Sequence, residues 1–184
     1  LSRGIVRFRI GKCRAAALLT ETRIVVASDE SLSVWDWKQQ HAVAVIDKHP
    51  YRRVVVSPDD RWIIASTVDN VLRVFQWNEE NGRLRAKMVA EWNSGDDLTL
   101  LQPSPDGRHV AVARWTRGTA GNQSEHLIWI LPLPELAQPQ RLDLRWSNQV
   151  AFSPDGQTLA LRTATGLALR NRLGETVWEQ PQPD

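Results

Sequence analysis

The sequence predicts an all-β chain built from repeated four-stranded units, and three observations carry that prediction. The tetrapeptide Ser-Pro-Asp-Gly stands at Ser104–Gly107 and again at Ser153–Gly156, with a near copy at Ser57-Pro58-Asp59-Asp60. The serines that open successive copies are 47 and 49 positions apart, a period typical of propeller-type arrays. Between the turns lie short apolar runs rich in β-branched residues and patterned at every second position, and no segment has a convincing helical period. The expected fold is therefore a β-propeller of about four blades, each of four antiparallel strands, forming a small ring or part of a larger one.

The turn has a local rationale. Ser first and Pro second suit a type I turn, because the proline ring presets its backbone angle. Gly in fourth place takes a positive φ and makes a bulged hairpin loop. Asp60 fills that place in the first copy, and aspartate tolerates the left-handed region better than most residues. Before each turn comes a first strand: "RRVVV", "LTLLQP" and "NQVAF". After it comes a second: "RWIIAST", "RHVAVAR" and "QTLALRT". A third alternates ("VLRVFQW", "HLIWILPL", "GLALRNR"), and a more polar fourth closes the unit ("LRAKMVAEW", "PQRLDLRW", "TVWEQ"). An earlier copy fits the same frame through "RAAALLTET", "RIVVASD", "SLSVWDW" and "HAVAVIDKH", although its turn at Thr20–Thr22 lacks the Ser-Pro-Asp-Gly chemistry. The predicted units span roughly 11–49, 50–93, 94–145 and 146–180 of a single domain over 1–184.

These units resemble the blades of WD-repeat (WD40-like) β-propellers, on "SLSVWDWKQQHAVAVI", "VVVSPDDRWIIASTVDNVLRVFQW" and "VAFSPDGQTLAL". Trp35-Asp36 is the one literal Trp-Asp pair at the end of a third strand, and the Gly-His dipeptide of the family is absent. The chain therefore resembles a divergent, bacterial-type member, with TolB-like propellers a close second. The resemblance implies a hydrogen-bonded blade network of His49, Ser66 and Asp69, with Phe75 in place of the family's tryptophan. It further implies that the hairpin between second and third strands lies on the face that most often contacts partners.

"IVRFRI" at Ile5–Ile10 reads as an extra leading strand, which makes seventeen strands for sixteen places. A partial ring with further blades upstream is the expectation, since the chain starts at Leu1 and ends in "QPQPD". Open strand edges would then pair with an upstream domain of the same protein or with a second copy, because exposed edges invite association.

Charge is nearly balanced, with 23 Lys and Arg against 21 Asp and Glu, so bulk charge points neither to nucleic acid nor to a membrane. A nucleic-acid surface would need Arg52, Arg53, Arg114, Arg117 and Arg145 to form one patch. No run is long and apolar enough for a membrane-spanning helix. The single cysteine, Cys13, fits a reducing, cytoplasmic setting, or a periplasmic one had an export signal been removed. Neither the histidines nor Cys13 show metal-ligand spacing, and no phosphate loop or nucleophile elbow is present. No cofactor is expected. Asp59, Asp106 and Asp155 each sit in a separate turn, where a short carboxylate bonds backbone amides, so they are expected to be structural.

The third unit departs from the pattern in "RWTRGTAGNQSEH", a long connection whose Arg114, Trp115, Arg117, Asn122 and Gln123 form the candidate partner-binding loop. The function expected is a non-catalytic protein–protein interaction, scaffold or sensor module. The alternative is a TolB-like periplasmic propeller, or a propeller enzyme with a site in its central channel.

Overall fold

The computed structural model describes residues 12–116, 125–142, 149–163 and 166–181, and it is all-β. The first blade holds β1 (Cys13–Leu18), β2 (Arg23–Ser28), β3 (Leu32–Asp36) and β4 (His41–Asp47). The second holds β5 (Tyr51–Val56), β6 (Trp62–Thr67), β7 (Val71–Glu80) and β8 (Arg83–Asn93). The third holds β9 (Asp97–Pro103), β10 (His109–Thr116), β11 (Glu125–Pro132) and β12 (Gln140–Leu142). The fourth holds β13 (Val150–Phe152), β14 (Thr158–Thr163), β15 (Gly166–Asn171) and β16 (Thr176–Pro181). Each sheet is a four-stranded antiparallel meander in chain order, which agrees with the expected architecture. The expected leading strand, Ile5–Ile10, lies outside the described residues.

Both faces of an inner blade are buried, so its second strand reads as continuous apolar sequence rather than strict alternation. Ile63 faces one side and packs with Val25, Leu32 and Val34 of the first blade. Ile64, its neighbour on β6, faces the other side and packs with Leu98, Val110 and Leu131 of the third. The third blade repeats the device: Val110 and Val112 meet the second blade, while Ala111 and Ala113 meet Leu159 and Leu161 of the fourth. Side-chain alternation along a strand thus divides each blade between two inter-blade cores.

The array is open. Among the described residues no hydrophobic cluster joins the fourth blade to the first. The outward face of the first blade carries Leu18, 72% exposed, and Val45, 54% exposed. The outward face of the fourth, set by the β14–β15–β16 register, carries Leu167 and Trp178, 56% and 45% exposed.

One element is longer than the sequence reading anticipated. The third and fourth strands of the second blade run on past Trp77 to a two-residue turn, Asn81-Gly82, with paired residues out to Glu80 and Arg83. Both turn residues have positive φ, 51° and 71°, the requirement of a type I′ hairpin turn. The extended hairpin is anchored on one side: Trp77 and Leu84 pack against the core between the first two blades. Glu79 also bonds Arg23 of the first blade at 2.7 Å.

Candidate functional site

The repeated turn is a closed hydrogen-bonded unit. In the third blade the Ser104 hydroxyl donates to Asp106 Oδ1 and accepts the His109 amide at 2.9 Å. The Arg108 amide donates to the same carboxylate oxygen at 3.1 Å. Gly107 N–H donates to Ser104 O at 3.0 Å, the bond that defines a β-turn. Ser153, Asp155, Gln157 and Thr158 repeat the pattern, as do Ser57, Asp59, Arg61 and Trp62. Burial alone would raise the Asp106 carboxyl, but the Ser104 hydroxyl, the Arg108 amide and nearby positive charge hold it below its usual value. The Ser153 hydroxyl and the Gln157 amide likewise hold Asp155 low. Each of the three carboxylates is therefore occupied by its own turn.

Successive turns also touch one another. A methyl group added at Gly107 would come within 2.5 Å of the Asp59 carboxyl carbon, and one at Gly156 within 3.3 Å of that of Asp106. The fourth turn position thus serves twice, for positive φ and for the approach of the preceding turn.

Next to these turns, on the same end of the blades, a cleft of about 770 Å³ opens between the third and fourth blades. Arg172 crosses it, donating to Gln157 Oε1 at 2.7 Å and lying 3.3 Å from His109 Nδ1. Burial, then the Arg172 charge, lowers the pKa of His109 and favours its neutral form.

At the opposite end of the second blade, His49 Nε2 meets Asp69 Oδ1 at 3.0 Å. The Thr67 hydroxyl and the His49 ring hold the Asp69 carboxyl down to about 2. Ser66, expected as the third member, does not join them: its buried Oγ has no hydrogen-bond partner. Adjacent strand residues point to opposite faces, so the hydroxyl one position on, Thr67, faces Asp69 instead. Beside this pair the Tyr51 hydroxyl donates to Asp47 at 2.6 Å, and Arg73 reaches the same carboxylate at 2.9 Å. Burial and the Asp47 hydrogen bond raise the Tyr51 phenol, which therefore stays protonated and acts as a structural donor. Asp36, of the Trp35-Asp36 pair, is buried and caps the β3–β4 turn by accepting the Gln39 amide at 2.8 Å.

Two members of the candidate loop are described. Arg114, near the end of β10, is tied to Asp96 at 3.0 Å and donates to Ser94 O, and Trp115 beside it is half-buried. Arg117, Asn122 and Gln123 lie outside the described residues. Of the arginines that a nucleic-acid reading required, two of the three described are paired with carboxylates. Arg52 pairs with Asp97, Arg53 donates to Leu98 O at 3.1 Å and Arg114 pairs with Asp96, while Arg117 and Arg145 lie outside the described residues. Among the described residues no group of His, Cys, Asp and Glu could hold a metal ion. Nor, among them, is any helix long and apolar enough to cross a membrane.

Residues 41–76 match the family model "WD domain, G-beta repeat". The match begins at the first residue of β4 and ends within β7, so the repeat unit takes the outer strand of one blade and three strands of the next. The crystal structure of the Cps50 (Swd1) beta-propeller domain of Myceliophteria thermophila superposes with a TM-score of 0.68 at 13% identity, over 93% of this chain and 56% of that one. Sqt1 from Chaetomium thermophilum gives 0.62 at 18% identity, over 89% of this chain and 44% of that one. This chain thus spans about half the length of the solved structures it matches. Residues 41–76 thus carry a WD-repeat match, and the chain as a whole shares the β-propeller fold of these structures, with four meander sheets packed in series.

Proposed function

We propose that the chain is a non-catalytic protein–protein interaction module that recognises its partner through loops on one end of the blades. The observation that carries this reading is the contrast at the β10–β11 hairpin. Its base is fixed by Arg114 on Asp96 and Ser94, and the sequence separates β10 from β11 by eight residues (117–124), more than lie between any other two successive described strands of one blade. A rigid scaffold that positions a variable loop is the usual arrangement for recognition. The groups that could be read as catalytic are engaged in local hydrogen bonds, His49 with Asp69 and each turn aspartate within its own turn. A reducing compartment suits the exposed, unbridged Cys13.

Replacing 117–124 by a short Asn-Gly turn tests the proposal. The variant should melt with the native chain and lose proteins that the native chain retains in affinity capture from extract of its own cells. Identical capture by both would remove the loop as the recognition element.

The exposed apolar faces favour a second association. Leu18 and Val45 at one end of the array, and Leu167 and Trp178 at the other, stand where an inner blade would meet a neighbour. We infer that these faces are covered, by further blades of a longer protein or by a second copy. The isolated chain, 20.9 kDa as a monomer, should then run heavier by light scattering, and Leu167→Glu should return it to the monomer mass. A monodisperse native monomer would show that the faces need no cover.

A further inference from the structure

The long β7–β8 hairpin carries positive charge that no carboxylate among the described residues pairs with. Arg83, Arg85 and Lys87 alternate along β8 with Leu84 and Ala86, which face the inner side. All three cations are exposed and, among the described residues, none meets a carboxylate or another hydrogen-bond partner. Several arginines elsewhere are paired with carboxylates, among them Arg14 with Asp29, Arg23 with Glu79, Arg73 with Asp47 and Arg114 with Asp96. The residues opposite the three cations are Glu80, Asn78 and Gln76, so a single carboxylate faces three positive charges.

The strand that bears them is also the free edge of its sheet. β8 stands last in the order β5-β6-β7-β8 and is eleven residues long, the longest strand among the described residues. Its outer backbone groups are available to another strand, and the hairpin is held against the first blade through Glu79, Trp77 and Leu84. Charged side chains usually keep such an edge from pairing with other chains. Three like charges, however, repel basic strands and are indifferent to neutral ones, while they attract an acidic strand.

We propose that the outer edge of β8 is a docking site for an extended acidic polypeptide segment, which adds to the second blade as a fifth strand. Its carboxylates would fall at every second residue, about 7 Å apart, matching the spacing of the three cations along the strand. Main-chain hydrogen bonds would supply affinity, and the cation ladder the choice of sequence. Exposed Met88 and Val89, next along β8, would receive apolar residues of the same segment. This site is on a different blade from the loop proposed above, and it does not depend on that loop.

The test uses the 184-residue chain and a fluorescent twelve-residue peptide of alternating Glu and Thr. Anisotropy should show saturable binding. Binding should weaken about tenfold or more when alternate peptide amides are N-methylated, because the strand bonds are then lost. The Arg83→Glu, Arg85→Glu, Lys87→Glu variant should lose the acidic peptide and gain a Lys-Thr peptide of the same length, a swap that misfolding cannot imitate. Undiminished binding of the methylated peptide would overturn strand addition. Unchanged preference in the variant, or tighter binding of a twelve-nucleotide oligothymidine than of the acidic peptide, would overturn the proposal as a whole.

Discussion

Ile63→Ala and Ile64→Ala should each destabilise the chain by about 3–4 kcal/mol, the range for a fully buried isoleucine whose site cannot collapse. Neighbouring residues on a one-sided sheet would behave differently, one costly and the other nearly neutral. Here both are fully buried, Ile63 in the core shared with the first blade and Ile64 in the core shared with the third. The fourth blade provides the contrast. Leu161 is 1% exposed and packs against the third blade, while Leu167 lies on the outward face. Leu161→Ala should therefore cost about as much as the isoleucine changes, and Leu167→Ala, measured on the chain diluted to its monomer, about 0.5 kcal/mol or less. Urea unfolding of the four variants checks this. Equal costs at Leu161 and Leu167 would mean that both faces of the fourth blade are covered.

The second large effect is expected at Gly107. Gly82, Gly156 and Gly107 have nearly the same backbone angle, with φ of 71°, 69° and 67°. They differ in what an added methyl group would meet: nothing within 4 Å at Gly82, the Asp106 carboxyl carbon at 3.3 Å at Gly156, and that of Asp59 at 2.5 Å at Gly107. The backbone cost of alanine in this conformation, about 1 kcal/mol, is common to all three. At Gly107 the Asp59 carboxyl must also swing away and give up its bonds to the Ser57 hydroxyl and the Arg61 amide. Each such bond is worth about 1 kcal/mol, so Gly107→Ala should cost about 3 kcal/mol in all. Thermal melts should rank the variants Gly82→Ala, Gly156→Ala, Gly107→Ala from mildest to most severe.

What the sequence revealed follows the range of the interactions involved. The turns at Ser57, Ser104 and Ser153 are local, and their chemistry within six residues set both the hairpins and the repeat. Strand placement followed from the short apolar runs, because each such turn marks the hairpin between the first and second strands of a blade. Ser66 failed as a network member because the network depends on which face a residue occupies, and a slip of one position reverses that. The extended hairpin was missed even though Asn81-Gly82 is a strong local hairpin signal. The apolar run "VLRVFQW" ends at Trp77, and the polar residues Asn78 to Glu80 that extend the strand carry no apolar signal. The Arg172–His109 contact joins residues 63 positions apart, and the stacking of Asp59 on Gly107 joins different blades. Neither leaves a trace in spacing or pattern. The same holds for Arg52 and Arg114, whose apparent freedom to bind nucleic acid ended at Asp97 and Asp96.

That successive blades sit side by side around one axis, turn against turn, is tested most directly by a double-mutant cycle between Asp59 and Gly107. Trimming Asp59 to alanine makes room for the methyl group at position 107. The Asp59→Ala, Gly107→Ala double variant should therefore be more stable than the sum of the single changes predicts, by about 1–2 kcal/mol. Additivity within about 0.5 kcal/mol would place the two turns out of contact and contradict the stacked arrangement.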